Sequence, residues 1–230
     1  MISIITPVLN EKDNIRPFFD HLNNLKGDFE LVLVDGGSTD GTLDEVERLR
    51  KEIPYPLKVL KTSRGRGNQM NKGAEVAKGN ILLFLHVDSH IAGNSLNVIE
   101  KEIAEGDIIG GGFTHSFSDP DMFLKITSAF GNFRARSTKI FFGDFGIFIR
   151  KDIFEKMGGY DDIAFLEDVE FCKKAKGYGK LVQIENLIVT SPRRYHSKGK
   201  FKLTVFFILA VLLNVVGFRP NFLYKYIVEM

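Results

Sequence analysis

Nearly unbroken apolar runs alternate with amphipathic stretches along the first ninety residues. Ile2–Val8, Phe29–Val34, Leu57–Leu60 and Ile81–Leu85 are the runs. Their length and lack of polar alternation predict strands buried on both faces. Between them, Ile15, Phe18, Phe19, Leu22 and Leu25 recur at helical spacing after a cap at Asp13 or Asn14 and stop at Gly27. Leu43, Val46 and Leu49 mark a second helix to about Lys51, ended by Pro54 and Pro56. A third is expected over about 67–78, opening after Arg64-Gly65-Arg66-Gly67 and closing at Gly79. Strand–helix alternation of this kind predicts an α/β fold, with helices on both faces of a mainly parallel sheet. Ligands of such sheets bind beyond the carboxyl ends of the strands. The polar clusters Asn10-Glu11, Asp35–Asp40 and His86–Asp88 fall at those ends.

The second half is less regular. Strands are expected at 107–117, 141–149 and 181–189, with an amphipathic helix at about 121–136. Gly158-Gly159-Tyr160 reads as a turn, and Phe165–Lys176 as a helix opening on Glu167-Asp168. No internal repeat or low-complexity linker interrupts the chain, which divides into one α/β domain over 1–195 and a tail over 196–230.

Charge and cysteine usage narrow the class. Thirty-one Lys and Arg against 29 Asp and Glu give a net charge of +2 over 230 residues. A strongly basic nucleic-acid footprint is therefore excluded, as is an acidic disordered tail. The lone Cys172 forms no internal disulfide and excludes a cysteine-rich zinc module. It points to a reducing, cytoplasmic compartment. The first residues lack the basic start and long apolar run of a signal peptide.

Each polar cluster has a structural and a chemical reading. In Asp35-Gly36-Gly37-Ser38-Thr39-Asp40-Gly41-Thr42, the glycines suit positive φ, and Ser38 or Asp40 suits a helix cap. Alternatively, Asp35 at a strand end binds a base or sugar. Asp88 either caps a helix or holds a divalent cation that also takes phosphate oxygens. Arg64 and Arg66 are either a solvated turn or a phosphate-binding pair at a helix start. Glu167 and Asp168 either complement a helix dipole or supply a general base whose pKa neighbouring acids raise. No Walker A loop is present, and the first strand is followed by Pro7-Val8-Leu9-Asn10-Glu11 rather than a glycine-rich dinucleotide or nucleotidylyltransferase loop.

Taken together, Pro7–Glu11, Val34–Thr42, Asn71-Lys72-Gly73, Phe84-Leu85-His86-Val87-Asp88, Gly158-Gly159-Tyr160 and Leu166-Glu167-Asp168 resemble the family-2 glycosyltransferases of the GT-A fold. A short bacterial and archaeal subgroup is resembled more closely, through Arg66–Gly73, Leu85–Asp88, Gly143–Phe148 and Thr190–Tyr195. The resemblance implies a GT-A-type α/β/α sandwich around a mainly parallel sheet, and transfer of a sugar from a nucleoside diphosphate to an acceptor hydroxyl with inversion. It implies catalytic roles for Asp168 and Glu167. It also implies nucleotide-sugar binding by Pro7, Leu9, Glu11, Asp35, Ser38, Arg64, Arg66, Gln69, His86, Asp88, Arg193 and Arg194. Asp88 would face a divalent cation, Mn²⁺ or Mg²⁺. His86 replaces the first acid of the family's Asp-x-Asp, so the arginines share in neutralising phosphate. His196 corresponds to the family's downstream metal-binding histidine, although the subgroup pattern there points to Arg193 and Arg194. The alternative function is a nucleotide-sugar-binding protein without transferase activity.

Leu203–Phe218 is an apolar C-terminal helix of 16 residues with only Thr204 and Asn214 polar. It spans about 24 Å, short of a hydrocarbon core of about 30 Å. Basic residues flank it. A helix on the membrane's inner face, a homodimer contact, or packing on its own domain all fit, and the first suits a lipid-linked acceptor.

Overall fold

The computed structural model describes residues 1–215, and the end of the apolar segment, Val216–Phe218, lies outside them. The first half runs β1 (Ile2–Val8), α1 (Lys12–Leu22), β2 (Phe29–Asp35), α2 (Thr42–Leu49), β3 (Leu57–Lys61), α3 (Arg66–Val76) and β4 (Ile81–Phe84). The second runs β5 (Ser89–Ile91), α4 (Ser95–Ala104), β6 (Ile108–Phe117), α5 (Met122–Thr138), β7 (Ile147–Arg150), α6 (Lys151–Lys156), α7 (Glu167–Ala175), β8 (Lys180–Thr190), α8 (Arg193–Lys198) and α9 (Lys200–Val215). Residue 195 lies within α8.

Eight strands form one sheet in the order β3-β2-β1-β4-β7-β6-β8-β5. The four strands of the first half are parallel to one another. Beyond them the sheet is mixed: β7 runs antiparallel to β4 and β6, β8 is parallel to β6, and β5 is antiparallel to β8. Side chains alternate across the sheet as strand geometry requires. Ile4, Leu31 and Leu33 join Phe18, Phe19 and Leu22 of α1 on one face. Ile5, Val32 and Val34 join Met70 of α3 and Phe171 of α7 on the other. Gly73 permits the close approach of α3, since a Cβ there would stand 2.4 Å from Ile5 Cγ2.

The register sets the strand ends level. Val8 lies opposite Asp35, and Asp35 opposite Lys61. Polar residues that follow these strands therefore emerge along one rim.

Several boundaries differ from the sequence expectation. The α1 cap position is Glu11, whose carboxylate accepts from Asn14 Nδ2 at 2.5 Å. Gly41, at φ 89°, caps α2 while Asp40 accepts from the Thr42 amide. The expected strand at 141–149 is shortened to β7, because Gly143–Phe145 forms a 3₁₀ turn ending at Gly146 in the left-handed region. α7 starts at Glu167 rather than Phe165 because Leu166 adopts φ 61°. β5, α4, α6 and α8 lie outside the sequence expectation: β5 is three residues long and α6 and α8 six each, too short for a periodic signal.

Candidate active site

The rim is built first by main chain. The Asp35 carboxylate is buried and accepts from the Gly37 and Ser38 amides at 3.0 and 3.1 Å, so it shapes its own loop. Ser38 Oγ accepts from the Asn10 amide at 2.9 Å, and Asn10 Oδ1 accepts from the Thr39 amide at 2.8 Å. This reciprocal pair clasps the loops after β1 and β2 and holds Asn10 at φ 55°. Gln69, buried on α3, donates both amide hydrogens inward, to Val8 O at 3.0 Å and Val34 O at 2.8 Å. Its amide is thereby committed to joining the strand ends. Pro7 near the end of β1 and Leu9 just beyond it stand partly exposed.

α3 brings Arg66 to the rim. Asn71, one turn further on, exchanges two hydrogen bonds of 2.9 Å with the main chain of Tyr160. Gly158 and Gly159 turn with φ of 73° and 68° to make that contact. The clamp places Arg66 3.6 Å from buried Glu167 at the start of α7. Arg64 stays exposed on the preceding loop.

Arg193 crosses to the rim from α8. It forms a two-pronged ion pair with Glu11 and lies 3.4 Å from Asp88 Oδ2. The sequence separation of Glu11 and Arg193 is 182 residues. Arg194 is pushed down to about 10, first by repulsion from Arg66 and then by desolvation, with Asp88 opposing. Two mutually repelling guanidinium groups favour an anionic ligand between them.

His86, Asp168 and Gly143 meet at the inner end. A Cβ on Gly143 would stand 2.9 Å from His86 Nε2 and 3.7 Å from Asp168 Oδ2. Burial, followed by the Arg66 and Arg194 charges, pushes His86 down to about 3, so its imidazole is neutral. Asp168 accepts from the Gly143 amide at 2.5 Å and from its neighbour Val169 at 2.7 Å. Burial raises its pKa far above the ordinary carboxylate range, the Glu167 charge adds to the rise, and the Gly143 amide and Arg66 partly offset it. A base tuned toward neutral pH is suited to proton abstraction.

The structure thus brings Glu11, Arg66, His86, Asp88, Glu167, Asp168, Arg193 and Arg194 into one connected network, with Asp35, Ser38 and Gln69 shaping the loops beside it. His196 instead lies 2.9 Å from Asp119. Two participants were missing from the sequence assignment. Gly143 acts through its main-chain amide, which no side chain advertises. Asp144 has a buried Oδ1 without a partner and an electrostatic influence on His86. Its only sequence signal was the Gly143–Phe148 motif.

The profile of the family described as Glycosyl transferase family 2 matches residues 3–158. The chain belongs to this family. Among family relatives, the PGL/p-HBAD biosynthesis glycosyltransferase of Mycobacterium tuberculosis is 41% identical over 93 residues, covering 40% of this chain and 36% of that protein. The match therefore spans about a third of the relative's length. Glycosyltransferase AglE of Haloferax volcanii is 24% identical over 250 residues, covering 96% of this chain and 82% of that protein. In structure, mannosyltransferase PcManGT from Pyrobaculum calidifontis, solved with GDP-Man and Mn²⁺, superposes with a TM-score of 0.66 at 23% identity, covering 82% of this chain and 56% of the other. S. aureus TarS 1–349 in complex with UDP gives 0.66 at 20% identity, covering 93% and 65%. These likenesses establish the GT-A fold of this family-2 chain.

Proposed function

We propose that this family-2 chain transfers a sugar from a nucleoside diphosphate to an acceptor hydroxyl, with Asp168 as general base and inversion at the anomeric carbon. The observation that carries the reading is a carboxylate raised toward neutrality beside a cationic cluster on one rim. As the glycosidic bond breaks, negative charge grows on the β-phosphate. Arg66, Arg193 and Arg194 stabilise that charge more in the transition state than in the ground state, and this difference lowers the barrier. Asp168 takes the proton of the attacking hydroxyl from the opposite side of the sugar, and a single displacement inverts the centre. Burial, with the Glu167 charge adding to it, keeps the Asp168 pKa high. Pro7, Leu9, Glu11 and Asp35 lie at the strand ends and loops proposed for the nucleotide, and Arg64 lies on the loop that leads into α3.

A divalent cation fits the donor set in a spare form. Among the described residues no group of three His, Cys, Asp or Glu is gathered to hold a metal. One carboxylate with phosphate oxygens is nevertheless a usual Mg²⁺ or Mn²⁺ arrangement. Asp88 supplies the carboxylate, and the neutral His86 is a competent second donor. When bound, such an ion would neutralise charge on the leaving diphosphate as a Lewis acid.

The alternative, a binding protein without catalysis, has no need of a buried carboxylate with a raised pKa. A donor panel of UDP, GDP, dTDP and CDP sugars, with and without Mn²⁺, read by thermal shift and by donor hydrolysis or transfer, tests the proposal. Thermal stabilisation with no turnover on any acceptor class would favour the alternative. A cytoplasmic setting accords with the buried, lone Cys172. No described helix is long and apolar enough to cross a membrane.

A further inference from the structure

Among the described residues, twelve large hydrophobic side chains are exposed, and nine of them lie on just two helices, α5 and α9. On α5 they are Met122, Ile126, Phe130 and Phe133, with Phe130 and Phe133 more than 70% exposed. At 100° per residue these four occupy one stripe about 80° wide. On α9 the exposed residues run from Phe201 to Leu212 and form a stripe of similar width, while Leu203 and Ala210 on the opposite side pack on Leu166 and Val169 of the domain. The two helices touch: Phe123 and Phe201 have ring centroids 4.7 Å apart, and Lys200 pairs with Asp121 at 2.6 Å.

The charges on these helices are one-sided. Neither Met122–Thr138 nor Lys200–Val215 contains an Asp or Glu, although acids and bases are nearly balanced over the chain. Lys125 and Lys202 are exposed at the edges of the two stripes.

We propose that α5 and α9 together form a docking surface for an anionic lipid bilayer, lying in its interface rather than crossing it. Phe and Leu side chains enter the acyl boundary while flanking lysines reach anionic headgroups. A second copy of the chain fits less well, because a self-contact would oppose two acid-free surfaces edged by lysine, and like charges set against each other are unfavourable. The surface adjoins the candidate site. Arg134 of α5 stacks on Phe142 at 4.0 Å, immediately before Gly143, and α8 carries Arg193 and Arg194 just ahead of α9. A bilayer on this face would sit beside the cleft. The exposed apolar stripes and their lysine edges are independent of whether the chain is a transferase.

The test is co-sedimentation of the full 230-residue chain with vesicles of phosphatidylcholine alone and of phosphatidylcholine mixed with phosphatidylglycerol. Binding to the mixed vesicles is expected, weakening with added salt. F130S/F133S should lose about tenfold or more in partitioning with an unchanged Tm, since neither ring is in the core. K125E/K202E should lose binding to the anionic vesicles specifically. Y178S, which removes an exposed ring elsewhere, should bind as the parent does. No binding of the full chain, or equal binding by F130S/F133S, overturns the proposal. So does a dimer in light scattering that F130S/F133S dissociates without any vesicle effect, which would assign the face to a second copy. Turnover does not enter these readouts, so the docking and transferase readings fail independently.

Discussion

The main-chain amide of Gly143 donates a 2.5 Å hydrogen bond to Asp168 Oδ2. Gly143 is also a position where any side chain would press on His86. One glycine therefore orients the proposed base and leaves the neighbouring imidazole its place. The hydrogen bond favours the ionised form, and burial with Glu167 opposes it. The balance leaves the carboxyl pKa raised toward neutral pH.

Asp168→Asn is expected to fold and to bind nucleotide but to lose roughly 10²–10⁴-fold in transfer rate, the usual contribution of a positioned base. Single-turnover transfer alongside nucleotide binding measures the two separately. Near-parental turnover would remove Asp168 from the role.

The raised pKa of Asp168 fixes a pH dependence. The base must be ionised, so transfer should rise with pH along an acid limb above the ordinary carboxylate range. Glu167→Gln removes a like charge and should move that limb to lower pH, as a kcat–pH profile would show. Stability runs the other way. A carboxyl group whose folded pKa exceeds its unfolded value binds more protons when folded, so its contribution falls as pH rises between the two. Asp168→Asn should therefore compare more favourably with the parent in Tm at alkaline pH than at acidic pH.

Arg66→Ala and Arg194→Ala should each weaken nucleoside-diphosphate binding, and the salt dependence of binding should become shallower. Because Arg66 lowers the Arg194 pKa by repulsion, removal of one guanidinium relieves the other. A bound anion relieves this repulsion, a gain that either single variant already forfeits, so the double variant should lose less than the sum of the single losses in log affinity. Isothermal titration in a salt series reads this, and strictly additive effects would argue against a shared anion.

Gln69→Leu should destabilise the fold by about 1–3 kcal/mol, since the Val34 carbonyl loses a buried partner. Denaturant unfolding measures the loss. Nucleotide affinity should fall as well, because the ends of β1 and β2 are no longer tied together.

The parallel half of the fold was legible from the chain. Four apolar runs and three amphipathic helices appear where their periodicity puts them, because strands buried on both faces leave a strong local signal. The second half was less legible. Residues 141–145 read as apolar strand, yet they form a turn whose Gly143 amide is spent on Asp168, a partner 25 residues away. Gln69 read as a ligand-binding residue, but its amide is committed to two carbonyl groups that a linear reading cannot see.

The sequence by itself determined the family, the α/β alternation and the acidic and basic residue types available for chemistry, because these depend on local pattern and residue identity. Only the tertiary structure decided which charges meet. Arg193 reaches Glu11 and Asp88, Arg66 reaches Glu167, and α5 joins α9 to expose a shared apolar surface, because Coulombic forces and burial act through space between residues far apart in the chain.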